Sequence, residues 1–432
     1  MMRSMYSGVS GLRIHQTKMD VIGNNIANVN TVGFKSSRVT FSEVFSQTIQ
    51  GASGASENSG GTNPMQIGLG AGISSIDVDM TEGAAQRTDN PLDLKIEGDG
   101  FFVVSDVTGN KFSRAGAFRV DEAGNLVNPD GLNVMGWTPD ATSGLISKTK
   151  VVPLQILNAD NMYVEPSLTT SVTLSGNINK NDPQVAPGIG SPFSFKVYDS
   201  LGYTYTAQFE ITQPNAATPN VYQFDLPANS ITDVKGNAIT NTAAVGTVTF
   251  DTTTGKVASV VPAPFTIPSI TTPFSTFQVP MNIDASALTM FAGNTTVTGT
   301  SGDANGLGAG NAAGTISGFE VGSDGKILGR YSNGETKLLG QVIIAKFQNP
   351  AGLQKIGANL FETTSNSGDF DGIGEDVKSS GGSFNAGVLE MSNVDLSREF
   401  TEMITTQRGF QANSRIITSS DEMLQELVNL KR

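Results

Sequence analysis

Apolar residues recur at intervals of seven near both ends of the chain. Met5, Leu12, Met19 and Ile26 hold the first stripe, with Ile22 and Val29 three places after the last two. That spacing predicts a helix over roughly the first 30 residues, with one apolar seam. Asn28, Asn30 and Gly33 tolerate left-handed backbone and predict where it ends. At the other end Leu396, Met403, Phe410, Ile417 and Leu424 repeat without a break. The predicted helix there runs over 393–430, with Ser392 as cap and Asp395 meeting the first-turn amides. At 1.5 Å per residue it would be about 57 Å long, too long to pack inside one small domain. Gly409 inside it costs roughly 1 kcal/mol relative to Ala and leaves the period intact.

Between the stripes the pattern turns to alternation and turn residues. Residues 51–63, rich in Gly, Ser and Ala, predict a flexible linker by composition. Leu92, Leu94 and Ile96 alternate, Asp99-Gly100 is a turn pair, and Phe101 to Val104 predicts the returning strand. Phe118 and Val120, the turn 121–124, then Leu126 and Val127 predict a second hairpin. Tyr203, Tyr205, Ala207, Phe209 and Ile211 alternate as one face of a half-buried strand does. Gly255 is placed in a turn between Val248–Phe250 and Val257–Val261. The Gly/Ala/Asn stretch 299–315 predicts a return linker, followed by turns at Asp324-Gly325 and Asn333-Gly334 and a buried strand over 342–347.

The expected fold is therefore mixed and mainly β. Terminal α-helices pair as an antiparallel coiled coil, and two or more β-domains follow, one inserted in another. The expected division is 1–35 with 393–432 for the coiled coil and 36–75 for a bridging segment. Residues 76–164 with 291–392 form a discontinuous inner β-domain, and 165–290 an outer inserted one.

Charge narrows the possible partners. The chain of 432 residues has net charge −13, which disfavours a nucleic-acid surface, since that needs a basic face. Residues 1–35 carry Arg3, Arg13, Lys18 and Lys35 against Asp20, so +3. Residues 393–432 carry five bases and six acids, which leaves −15 for the middle. Like-charged middles repel while the ends approach. Gly makes up 49 residues, about 11% against roughly 7% on average, which suits turns and polar contacts over a helical enzyme. There is no cysteine, so disulfide and thiolate chemistry is absent. No apolar h-region follows the start and no apolar run reaches membrane-span length, so neither a secretory signal nor membrane insertion is expected. Composition alone points to the cytoplasm.

Candidate chemistry is thin. The single histidine, His15, sits at a seam position and lacks the partners a metal or catalytic site needs, so its expected role is structural. Gly68-Leu69-Gly70-Ala71-Gly72 is only superficially a phosphate loop, lacking the third glycine and a following helix. It reads as turn or close-packing glycine. Asp369-Phe370-Asp371-Gly372 departs from a calcium loop at its fifth and twelfth positions, Ile373 and Ser380. No catalytic, cofactor or metal residue is assigned.

Several stretches resemble the axial family of bacterial flagella, which covers rod, hook and junction proteins. Asn24-Asn25-Ile26-Ala27-Asn28-Val29-Asn30-Thr31-Val32-Gly33-Phe34-Lys35 is similar to the family's N-terminal signature almost residue for residue. Pro91 to Phe102 and Phe112 to Phe118 are similar to its first core strands. Leu389 to Leu396 and Gln407 to Ser414 match at the other end. Pro192 to Gly202 looks like the start of the hook branch's insert, and Ser397 to Thr401 with the ending 427–432 also looks hook-like.

The resemblance implies a structural, non-enzymatic subunit without cofactor that polymerises with itself into a helical tube. It implies contact with rod, hook-cap and hook–filament junction proteins and with the flagellar export apparatus. Type III export would put the protein outside the cell without a cleaved signal, which reverses the cytoplasmic expectation. A distal rod protein and a secreted β-rich adhesin or enzyme stand as alternatives.

Overall fold

A computed structural model describes residues 2–54, 60–140, 144–241, 243–262, 265–267 and 281–430. The chain is mainly β with a long helix at each end, and it divides into two compact units. The first comprises 1–158, 319–328 and 338–432; the second comprises 159–318 and 329–337.

In the first unit the N-terminal helix spans Met2–Ala27 and the C-terminal helix Leu396–Asn429. The latter starts later than expected, and its cap is Asp395, not Ser392. The Asp395 carboxylate accepts from the amides of Ser397 at 2.8 Å and Arg398 at 3.3 Å, which satisfies two first-turn donors. Ser392 instead accepts from the Val394 amide. At the other junction, Gly33 has φ +70 after the helix ends.

The expected flexible linker is corrected. Strand β1 (Ser37–Glu43) pairs antiparallel with β4 (Ala71–Val78), and between them β2 (Ser46–Gln50) pairs with β3 (Met65–Gly68). Ser53 and Thr62 then exchange backbone hydrogen bonds of 3.0 and 3.1 Å. The Gly/Ser composition was thus misleading, because β-branched and aromatic residues on either side carry the ribbon into it. The middle of that stretch, 55–59, lies outside the described residues, as do Lys431 and Arg432 of the ending.

The body of this unit is a set of antiparallel strands around aromatic side chains. The hairpin expected at Asp99-Gly100 is also corrected. Strand 101–106 pairs with 109–113 across a turn at residues 107–108, whereas 94–97 pairs with 383–386 near the other end of the chain. The Asp106 carboxylate binds the amides of Thr108 and Gly109, which makes that turn the stronger local signal. The second hairpin forms as expected, 119–120 against 126–127. Phe101, Phe112, Trp137, Phe347 and Phe361 pack into one core, and Phe102 stacks on Phe384 while meeting Phe118 edge to face.

In the second unit, strand 171–177 runs parallel to 281–289 and antiparallel to 298–301. A seven-stranded antiparallel sheet occupies 191–261. Tyr205, Ala207, Phe209 and Ile211 alternate inward, while Tyr203 precedes the strand and is half exposed. Gly255 turns the chain between 244–250 and 257–261 with φ +67. The return stretch 299–315 is no loose linker. Its backbone bonds to Ser167, Thr170 and Ser171, and Gly310 has φ +71 where a side chain would strike Thr169. Glycine there permits close approach of two chain segments, not mobility.

Candidate assembly surface

The two terminal helices lie antiparallel, as their contacts read in opposite order along each. Ser4 meets Ser420, Gly8 meets Ile417, Gly11 meets Asn413, His15 meets Gly409, and Lys18 meets Glu402. A Cβ added at Gly8 would stand 3.2 Å from Ile417 Cγ1. One at Gly11 would stand 2.6 Å from Asn413 Nδ2, and one at Gly409 would stand 2.7 Å from the His15 ring. Small residues therefore set the separation of the helices. The fully buried positions are Gly8, Gly11, Ile22 and Asn25 on one helix, and Thr406 and Ser420 on the other.

The apolar stripe occupies the edges of this seam. Met5, Leu12, Met19, Ile26, Met403, Phe410, Ile417 and Leu424 are half-buried in the single chain. Leu396 is exposed, because it opens the helix just past its cap. Further apolar side chains on the C-terminal helix are open among the described residues, two on one face near its start and three on another face towards its end. Phe400, Ile404, Ile416, Met423 and Leu427 are each 45–53% exposed. On the N-terminal helix Met2, Tyr6 and Val9 are similarly open, and on the ribbon so are Val44, Phe45, Ile49, Met65 and Ile67. Open apolar side chains in this number on two helices and one ribbon mark a protein interface.

The signature residues after the first helix form a clasp onto the β body. The Asn25 amide holds Ser37 at both backbone atoms, donating to its carbonyl at 2.9 Å and accepting from its N–H at 3.0 Å. It also donates to Glu399 at 3.2 Å. Asn28 donates to the Asn24 carbonyl and accepts from the Thr31 hydroxyl, while Asn30 is exposed. The Gly33 amide donates to the Glu390 carbonyl at 2.8 Å, and a side chain there would strike the backbone of Ala115. Phe34 is buried with the Lys355 ammonium 4.8 Å over its ring.

Lys35 completes the clasp. Its ammonium reaches Glu390 at 2.6 Å and the Thr81 carbonyl at 2.6 Å, all but excluded from solvent. Arg114 lies 3.6 Å from the other Glu390 oxygen, and the Gly83 amide donates to Glu390 at 3.0 Å. Burial pushes Lys35 below the usual lysine range, while the Glu390 charge pulls the other way. Burial likewise lowers Lys355. Across the helix junction, burial raises Glu399, opposed by the Asn25 amide. Glu402, despite burial that works the other way, is held low by its bond to Lys18.

Gly8, Gly11, Glu390, Arg114 and Lys355 were not singled out as functional from sequence. Two of them left a trace: glycines three apart inside a helix cost stability and so point to a close approach. The partnership of Glu390 with Lys35 left none, as nothing local links the two. Gly70, in the pseudo-phosphate loop, is a close-packing glycine, with Ser10 Oγ 2.3 Å from where its side chain would be. No group of residues that could hold a metal ion occurs among the described residues.

Comparison with known proteins gives four family matches. They are the flagella basal body rod protein over 5–35 and the flagellar hook protein FlgE/F/G D1 domain over 95–180. The flagellar basal body protein FlaE D2 domain matches 167–306, and the flagellar basal body rod FlgEFG protein C-terminal matches 385–430. The chain is 37% identical to the flagellar hook protein FlgE of Borreliella burgdorferi and 36% identical to that of Treponema pallidum. Both alignments cover all of each chain. It is 33% identical to the flagellar basal-body rod protein FlgG of Bacillus subtilis, again over the full length of both.

Proposed function

Since the chain belongs to the flagellar hook and rod protein family and is a structural subunit of the hook, we propose that its paired terminal helices supply the contacts that build the tube. The hook is a self-assembling polymer that transmits torque from rod to filament. The observation that carries the proposal is the open apolar side chains of Phe400 and Ile404, and of Ile416, Met423 and Leu427, on a helix already paired along its seam. A contact between unlike patches of successive subunits does not close on itself and generates an open helical assembly.

We assign the stripe Met5, Leu12, Met19, Ile26, Leu396, Met403, Phe410, Ile417 and Leu424 to the wall of that tube. The signature Asn24, Asn25, Asn28, Asn30, Thr31, Gly33, Phe34 and Lys35 is assigned to fixing the first helix on the β body. Residues 36–75 bridge the helices to the β-strands, and the insert 165–290 supplies a separate set of contacts. A tube that bends must lengthen on one side and shorten on the other at each turn. Polar, wet, glycine-rich contacts slide at little cost where dry apolar ones resist. The rod protein, hook cap, junction proteins and export apparatus are the partners this role entails, with delivery outside the cell by type III export.

The full-length match to a rod protein favours one competing reading, a stiff distal rod. Electron microscopy of the purified protein polymerised at high salt decides between them. Curved tubes support the hook role; straight tubes support the rod, and no polymer under any condition sinks both.

A further inference from the structure

Two Asn-Gly pairs occur in the chain, Asn305-Gly306 and Asn333-Gly334. Such pairs are chemically fragile, because a glycine without a side chain lets its backbone nitrogen reach the carboxamide of the asparagine before it. Both pairs lie in turns of the second unit. Both glycines have left-handed backbone, φ +81 at Gly306 and +87 at Gly334. Each glycine amide donates to the carbonyl three residues earlier, Asp303 at 2.9 Å and Tyr331 at 3.0 Å. A side chain at either glycine would meet nothing within 4 Å. The two attacking nitrogens are therefore equivalently placed.

The two carboxamides are not. Asn333 Nδ2 donates to the Ala312 carbonyl at 2.9 Å, and its Oδ1 accepts from the Glu335 amide at 3.1 Å. Gly314 closes against the same group, since a Cβ there would stand 2.5 Å from Asn333 Cγ. Asn305 is exposed, and its backbone N–H donates to Asp303 Oδ1 at 2.8 Å. Its carboxamide makes no hydrogen bond among the described residues. Turning the Asn305 side chain onto the Gly306 nitrogen breaks no side-chain contact, whereas Asn333 must first give up two hydrogen bonds.

We propose that Asn305 is a self-modifying site, which loses its amide nitrogen to give aspartate and isoaspartate while Asn333 stays intact. The Gly306 nitrogen gives up its proton and bonds to Asn305 Cγ, and the Cγ–Nδ2 bond breaks to release ammonia. Water then opens the resulting cyclic imide. Attack at Cγ leaves aspartate, and attack at the main-chain carbonyl routes the backbone through the side chain. One water enters and one ammonia leaves, so no other reactant is needed. Either product adds a negative charge beside Asp303, whose carboxylate holds the amides of residues 305 and 307 at 2.8 Å each. The isoaspartate form also lengthens the main chain inside the turn that Asp303 and Leu307 close. That turn runs into Gly308, whose carbonyl accepts from the amides of Thr170 and Ser171. The change therefore falls where the two chain segments of the insert meet, outside its buried core.

The test incubates the folded full-length protein for weeks in mildly alkaline water enriched in heavy oxygen and maps its peptides by mass. The peptide carrying residue 305 is expected to split into two products, each with one oxygen taken from the solvent. Conversion at 305 should be at least roughly tenfold faster than at 333, the ratio that about one net hydrogen bond produces. In the chain unfolded by urea the two sites should convert at similar rates, because the protection of Asn333 is then gone. Equal conversion of both sites in the folded protein, or of neither, would overturn the proposal. So would a preference for 305 that persists unchanged after unfolding, since it would belong to the neighbouring residues and not to the fold.

Discussion

Lys35 and Glu390, 355 positions apart in the chain, meet at 2.6 Å with almost no exposure of either side chain. Their bond ties the segment after the first helix to the strand 388–390, which leads into the second. The segments that adjoin the two terminal helices are thus anchored at one buried charge pair.

Removing one member of that charge cluster should be far worse than removing all of it. Lys35→Met leaves Glu390 buried opposite Arg114 alone and should cost about 3–5 kcal/mol of unfolding free energy, read by urea denaturation. The triple variant Lys35→Met, Arg114→Met and Glu390→Leu, which strands no buried charge of the cluster, should recover much of that loss. A triple variant as unstable as the single would show that the cluster is worth more than its desolvation.

The small residues of the helix seam should resist enlargement. Gly11→Leu drives a side chain into Asn413, 2.6 Å from the first added carbon, and should abolish helix pairing and tube formation. Gly23→Ala, on the same helix with nothing within 4 Å, should instead stabilise by up to about 1 kcal/mol. Circular dichroism and sedimentation read both. Normal tubes from Gly11→Leu would mean that the seam is looser than its geometry.

Seam and open apolar positions on the C-terminal helix should separate pairing from assembly. Ile417→Asp places a charge against Gly8 and should lose the helix pair and the polymer together, leaving the β-strands folded. Ile404→Asp alters a side chain 53% exposed and should keep the helical signal while polymer yield collapses. Unchanged yield from Ile404→Asp would place the subunit contacts elsewhere.

Ser167 and Asn311 exchange backbone hydrogen bonds of 3.1 and 3.0 Å, so their chain segments already lie side by side. Excising residues 168–310 and joining those two ends with a short Gly/Ser linker should leave a chain that still polymerises. Its tubes should be straighter in electron micrographs, since the sliding contacts assigned to the insert are gone. Tubes of wild-type curvature would remove the insert from control of shape; failure to polymerise would give it assembly contacts as well.

The two helices were legible in the sequence because a seven-residue apolar period is a local property that survives any tertiary context. Turns such as 121–124 and Gly255 were legible for the same reason, since their residue chemistry acts over four or five positions. The signature Asn24 to Lys35 could be recognised as a block, but its work could not. Asn25 clamps Ser37 and Lys35 meets Glu390 only once distant segments are brought together.

Tertiary structure also decided what the stripe does. Period alone placed large side chains in the seam, yet Gly8, Gly11, Thr406 and Ser420 occupy buried positions of the helices beside Ile22, and the residues of the seven-residue stripe line the edges. Helix separation depends on the bulk of both partners at each crossing, which neither sequence segment encodes by itself. The same holds for strand 94–97, whose partner at 383–386 lies almost 300 residues away. Local sequence sets which segments become helix or turn. Which surfaces then meet, and at what distance, is settled by packing between segments that share no sequence neighbourhood.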